Sequence, residues 1–263
     1  MHIVVLLKNV HDPNLQRALL GVSSDGRSLA LPAASNPVMN GYDANALEAA
    51  LRVKERRGGS VTAVTVGGDA AKEMLRRALA LGADRVLHVP GATGLAVDPT
   101  QTAMLLAEAL RSLGPIGLVL AGRSASDTDA GVVPLLLAEA LQLPAVTPVR
   151  AISTDEPDAL IVDRITDAGL RRLRVSGAAV LCVSNEINKP RSPHLKGVAT
   201  AKRATIPSIA TADKQAQTDT LAIRLERLYI PEQKCVETEM VGGATPADAG
   251  RALADRLHQE GLF

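Results

Sequence analysis

Aromatic side chains are nearly missing from these 263 residues: Tyr42, Tyr229 and Phe263 stand alone, and tryptophan is absent. Proteins that hold single-stranded nucleic acid stack bases on aromatic rings, so no such platform is expected here. Cysteine is as scarce. Cys182 and Cys235 form no Cys-x-x-Cys pair and have no histidine at metal-ligand spacing, which excludes the common zinc patterns and a disulfide framework. They are expected to be reduced, partly buried thiols of a cytoplasmic protein. No apolar run approaches the ~20 residues of a membrane span, so no membrane insertion is expected. The opening MHIVVLLKNVHD is too short and wrongly flanked for a signal peptide, and reads as a first strand. The formal charge is +1 with no basic tract, so no nucleic acid partner is expected either.

What is present is aliphatic. Hydrophobic residues make up 46% of the chain, enough for a sizeable core of Leu, Val and Ala. The length allows one large domain, or one and a half small ones. Short β-type runs alternate with helical patterns. Strands are expected at His2–Leu7, Val61–Val66, Arg85–Val89 and Ile116–Ala121. Helices are expected at Asp43–Arg57, from an Asp69 cap to Leu81, from Asp98-Pro99 to about Leu113, and from Asp127 or Thr128 to Leu141. Gly21–Pro32 reads as a hairpin turning at Asp25-Gly26. The order predicts an α/β fold: a doubly wound, mostly parallel, Rossmann-like sheet with helices on both faces.

After Leu143-Pro144 the pattern changes. Leu160–Thr166, Leu170–Ser176 and Ala179–Ser184 read as antiparallel additions to the sheet. From Asn185 the chain turns irregular and rich in Pro and Lys, with one late helix at about Pro246–Glu260. The division expected is an α/β domain over 1–184 and an extended C-terminal arm over 185–263, whose small core of its own suggests docking on a partner.

In doubly wound sheets ligands lie at the carboxyl ends of strands. IGLVLAGRSASDTDAGVV places Gly122 to Ser126 at such an end, before a helix whose free N–H groups and dipole suit an anionic phosphate. Ser124, Ser126 and Thr128 add hydroxyls, and Gly131 permits close backbone approach. Leu6-Leu7-Lys8 and Val66-Gly67-Gly68 end at the same crevice. An ordinary helix cap at Asp127 or Thr128 accounts for the same residues. The loop contains neither GxxxxGK nor GxGxxG.

Six segments, in order, resemble the beta subunit of electron transfer flavoprotein. They are VLLKNVHD (Val5–Asp12), MNGYDANALEAALRVKE (Met39–Glu55), LRRALALGADRVLHV (Leu75–Val89), GRSASDTDAGVV, VDRITDAG (Val162–Gly169) and NEINKPRSPHLKGVATAKR (Asn185–Arg203). The departures are Gly41 for the usual Pro, Pro13 for an aromatic that often covers the flavin, and Leu170, Arg171 and Ala178 where the signature usually carries an acid or amide and a Pro.

The resemblance implies a heterodimer. An alpha subunit holds most of a redox FAD, and the beta subunit supplies one wall of that site and binds AMP in its own sheet. Electrons would come from flavin dehydrogenases, such as the acyl-CoA dehydrogenases of fatty acid oxidation, and pass to a quinone oxidoreductase or another acceptor. In the electron-bifurcating branch a second FAD takes the AMP pocket. By matched position, Leu6 and Val66 would lie against the adenosine, and Asn40 and Tyr42 near the base or ribose. Gly122, Arg123, Ser124, Ser126, Asp127, Thr128, Asp129, Ala130, Gly131, Val132 and Val133 would surround the phosphate. Leu195 matches the leucine of the partner-recognition loop. The flavin carries the chemistry, so no catalytic residue and no metal are expected. A reading of another class is a stand-alone adenine-nucleotide sensor of the universal-stress type, against which the long tail after Asn185 argues.

Overall fold

Successive side chains of a strand point to opposite faces, and strand β1 (His2–Leu6) shows what that requires here. Ile3 and Val5 enter one apolar cluster, Val4 and Leu6 another, and all four are buried. Only a strand covered on both sides needs such a run. The computed structural model describes residues 1–32, 35–92, 94–95, 97–209, 223–232 and 238–262; Cys235 lies outside them. They form two compact units, Met1–Tyr229 and Ile230–Phe263.

In the first unit, β2 (Asn9–Val10), β3 (Gly21–Val22), β4 (Leu29–Ala30) and β5 (Val38–Met39) are two-residue strands. β3 pairs with β4 in the expected hairpin, and β2 pairs with β5. Then follow α1 (Gly41–Arg57), β6 (Ser60–Gly67), α2 (Ala71–Leu81), β7 (Arg85–Pro90), α3 (Pro99–Arg111), β8 (Leu118–Gly122) and α4 (Val133–Leu141). β9 (Ala145–Ser153), β10 (Ala159–Thr166), β11 (Gly169–Ser176) and β12 (Ala179–Val183) complete an eight-stranded sheet of order β11-β10-β9-β12-β8-β1-β6-β7. From β9 to β7 every pairing is parallel; β10 and β11 are added antiparallel. Helices α1 and α2 cover one face, and α3 and α4 the other. In the second unit the expected late helix is α6 (Pro246–Gln259), which opens on a capping box between Thr245 and Asp248.

The structure corrects five expectations. Ala179–Val183 is not an antiparallel addition; it inserts between β8 and β9, parallel to both. β9 itself was unforeseen, because Pro148 interrupts its run and its burial shows no alternation. Asp69 does not cap α2: Ala70 holds that position, and the Asp69 carboxylate meets Lys72 Nζ at 2.6 Å. Asp98 does cap α3, accepting the Thr100 N–H at 2.7 Å. Helix α4 starts at Val133, not at Asp127 or Thr128, because Asp129 (φ +46°) and Gly131 (φ +64°) are left-handed and cannot continue a right-handed helix. The stretch from Asn185 is not irregular throughout. It contains α5 (Leu195–Arg203), laid on α2 so closely that a Cβ at Gly197 would come within 2.6 Å of the Ala80 carbonyl oxygen.

Residues 185–209 thus dock on their own chain. Arg191 bonds Glu48 and Glu55 of α1 at 2.7 and 2.6 Å, and Asn45 and Asn188 exchange amide hydrogen bonds. Arg76 donates to the Ala204 carbonyl at the end of α5. His88 on β7 lies 2.8 Å from the Gly67 carbonyl through Nε2 and 3.1 Å from Ser208 Oγ through Nδ1. A carbonyl only accepts, so Nε2 carries the proton.

Candidate functional site

The sheet order reverses beside β1. From β1 the chain passes to β6 and β7 on one side, and then returns to β8 and β12 on the other. Such a switch point opens a crevice beyond the carboxyl ends of the two central strands. The β1–β8 ladder runs only to Val5 and Leu120. β1 keeps bonding β6, with the Leu7 N–H on the Val64 carbonyl at 2.9 Å, while Arg123 N–H bonds the carbonyl of Val183, the last residue of β12.

The first turn of α1 plugs the base of this split. Asp43 is buried and accepts the Lys8 N–H at 2.8 Å through Oδ2 and the Gly122 N–H at 3.0 Å through Oδ1. Burial pushes its carboxyl up to about 7, although the hydrogen bonds from those two amides and from Asn40, and the charge of Lys8, oppose the rise. Glycine is needed at 122: a Cβ would sit 2.5 Å from Tyr42 Cβ and 2.6 Å from Asp43 Oδ1.

Asn40 stands at the N-cap position of α1, yet its side chain makes no capping bond. It reaches across the crevice wall instead. Nδ2 donates to the Ser124 carbonyl at 2.8 Å, and Oδ1 accepts the Ser126 N–H at 3.3 Å. Asn40 N–H in turn bonds the Lys8 carbonyl at 3.0 Å. Lys8 Nζ meets Asp127 Oδ1 at 2.7 Å; the lysine side chain is 44% exposed and the aspartate only 10%. Ser124 Oγ donates to Asp129 at 2.6 Å. Both loop carboxylates are therefore engaged by partners, and Asp127 is neutralised. The loop doubles back at Gly131, where a Cβ would fall 2.7 Å from the Arg123 carbonyl oxygen. At the rim, the Arg123 guanidinium lies 5.1 Å over the Tyr42 ring and donates to its hydroxyl at 3.2 Å.

Asn40, Tyr42, Gly122, Arg123, Ser124, Ser126, Asp127 and Asp129 thus form one bonded group with Lys8 and Asp43. Thr128 and Ala130 are exposed on the same loop, followed by Gly131, exposed Val132 and half-buried Val133, which opens α4. Leu6 and Val66 are not in that group. They lie on the opposite face of the sheet, Leu6 within the cluster beneath α3 and α4 and Val66 against it. Leu195 is on a different element, 91% exposed at the start of α5.

Lys8 was expected at the crevice only as the end of a strand, without a role, and Asp43 is the site residue that the sequence reading did not single out. The one available signal for Asp43 was an acid in the first turn of a helix, which usually marks nothing more than a dipole complement. Cys182 is buried on β12, and burial pushes its thiol up to about 12, so it stays protonated and inert. Among the described residues no helix is long and apolar enough to cross a membrane.

An open, mostly parallel sheet wrapped on both faces, with a shaped loop at its switch point, defines the doubly wound, Rossmann-like class. Comparison with known proteins narrows it. The family model of the electron transfer flavoprotein domain matches residues 28–214. The chain is 34% identical over 227 residues to the electron transfer flavoprotein subunit beta of Mycobacterium leprae, covering 84% of each. It is 36% identical over 213 residues to that of Thermoanaerobacterium thermosaccharolyticum, covering 81% of this chain and 79% of the relative. It is also 30% identical over 270 aligned positions, the whole of both chains, to the caffeyl-CoA reductase-Etf complex subunit CarD of Acetobacterium woodii. The chain belongs to the electron transfer flavoprotein beta-subunit family.

Proposed function

We propose that this chain is the beta subunit of a heterodimeric electron transfer flavoprotein, with AMP held in the crevice between β1 and β8. The observation that carries the nucleotide reading is the Lys8–Asp127 pair together with the Asn40 clamp on Ser124 and Ser126. An aspartate beside a phosphate would repel it. Paired with Lys8, Asp127 becomes a structural tie; the Ser126, Thr128 and Asp129 amides are taken up by Asn40 and Ala125, and those from Ala130 to Val133 are left to meet the anion. The residues present fit such a group: Gly131 permits the doubling, Arg123 adds a cation at the rim, and Ser126 and Thr128 offer exposed hydroxyls.

In this reading FAD, held mainly by the alpha subunit, accepts electrons from flavin dehydrogenases, acyl-CoA dehydrogenases among them, and yields them to a quinone oxidoreductase or another acceptor. This chain binds, orients and walls off; no side chain of it acts as acid or base. The exposed Leu195 at the start of α5 serves as an anchor for a dehydrogenase pocket, and the C-terminal arm docks on the alpha subunit. The chain works in the cytoplasm.

The test is co-expression with the alpha-type partner, followed by extraction and identification of all bound nucleotides. One FAD and one AMP per heterodimer are expected. A colourless, unpaired product free of adenylate overturns the reading. A second reading puts FAD in the AMP pocket; two flavins per heterodimer would establish it. A flavin-free homodimer that exchanges ATP would instead fit a stand-alone sensor.

A further inference from the structure

We propose that Asp43 is the positioning residue of this crevice: its carboxylate clasps the N–H groups of Lys8 and Gly122, and so sets the separation of the two strand ends between which the nucleotide lies. The inference rests on the nucleotide reading above and adds the residue that holds the site in shape.

The argument starts from the ladder. Leu7 N–H points to β6 and bonds Val64. Backbone donors alternate in direction along a strand, so Lys8 N–H points the other way, towards β8. There the β1–β8 pairing has already ended, at Val5 and Leu120. Gly122 N–H faces the same gap from the other side, since the next donor, Arg123 N–H, bonds Val183. A switch point therefore leaves one orphan donor on each side of the split, and buried donors require partners. Asp43 supplies one oxygen to each, at 2.8 and 3.0 Å. Its reach extends further. Lys8 is held at its N–H by Asp43, at its carbonyl by Asn40, and at its ammonium by Asp127 of the loop. One carboxylate thus fixes both the width of the crevice and the cation that anchors the loop.

No neutral isostere reproduces this. Asparagine offers one acceptor and one donor, so its NH₂ would face an N–H. Protonation has a similar effect, turning one of the two acceptors into a donor. The charged and titratable groups around Asp43 are Lys8, then Arg123, Tyr42 and Asp127 at the loop, and Cys182 on β12, whose thiol stays neutral. Burial brings the Asp43 carboxyl to about 7. The ionised form is the binding-competent one, so the crevice should loosen its hold on AMP as the pH falls through that value.

The experiment measures AMP affinity of the heterodimer by calorimetry from pH 6 to pH 8, for wild type and Asp43→Asn. Only the ionised fraction binds well, so the wild type should lose about tenfold in affinity between pH 8 and pH 6. Asp43→Asn should be weaker at pH 8 and lack that loss; the titration of AMP itself is common to both proteins and cancels. A variant whose pH profile runs parallel to the wild type overturns the proposal. Failure of AMP to bind the wild type at any pH overturns the nucleotide reading instead. A second measurement then decides the clasp without any variant. In ¹⁵N-labelled wild-type protein, the Lys8 and Gly122 amide resonances should titrate together, with one midpoint near 7. Amides that do not move, or that move with unrelated midpoints, refute it.

Discussion

Replacing Asn40 with alanine removes two hydrogen bonds to the loop, and its support of Asp43, from a side chain that is 1% exposed. The two losses are unequal. The Ser124 carbonyl gives up a 2.8 Å partner in a part-buried place, whereas Ser126 is exposed, its bond is 3.3 Å long, and water replaces it. An unpaired buried acceptor costs roughly 1–3 kcal/mol and the second bond little, so we expect a loss of about 2 kcal/mol. For the unit Met1–Tyr229 that lowers Tm by about 4–8 °C. Thermal and urea denaturation would measure it, and nucleotide retained after gel filtration would fall in parallel. Asn40→Ser separates two explanations. Serine caps a helix as well as asparagine does, but it cannot reach the 122–126 loop. If Asn40→Ser is as stable as wild type and keeps its nucleotide, Asn40 is only a cap and the clamp has no weight.

Further outcomes are expected. Asp127→Ala should reduce bound AMP and weaken the heterodimer, with a direct stability loss of only about 1 kcal/mol because Lys8 is half exposed; wild-type nucleotide content would mean that the phosphate lies elsewhere. Arg191→Ala leaves buried Glu48 with Arg52 alone and frees the 188–191 stretch, so stability should fall by about 2 kcal/mol and proteolysis there should quicken; unchanged cleavage would contradict this. Asp43 rises from 3.8 to about 7 on folding. A raised carboxyl favours the fold below about pH 4 and loses that contribution as pH climbs through 7, so acidifying from pH 8 to 5 should add about 3 kcal/mol relative to Asp43→Asn. Equal urea midpoints for the two proteins across that range would refute the buried charge. Leu195→Ala should slow reduction by the dehydrogenase and leave the flavin spectrum unchanged; equal rates remove Leu195 from the partner surface.

Much of the fold was legible because its codes are local. The apolar runs of β1, β6, β7 and β8, the Asp98-Pro99 start of α3, the Asp25-Gly26 turn and Pro246 at the head of α6 all work through neighbours a few residues apart. α5 was not legible: Gly197 and Thr200 are poor helix formers, and the helix is held by its fit to α2. The start of α4 was misread because Ser126-Asp127-Thr128 reads as a cap, while the left-handed Asp129 is held from outside the helix by Ser124. Of the site, the loop from Gly122 to Gly131 could be read as polar and glycine-containing at a strand end. What its aspartates do could not.

The amino-acid order by itself determined most of the segments that become strands and helices, and that the four apolar strands β1, β6, β7 and β8 would be buried on both faces, because side-chain period and turn chemistry act within a few residues. The fold alone decided that Lys8 meets Asp127 across 119 positions, that Asn40 grips a loop 84 positions away, and that Asp43 loses its water and bridges two strands. Charge pairing and desolvation depend on distance in space, and only the packed sheet and helices set that distance.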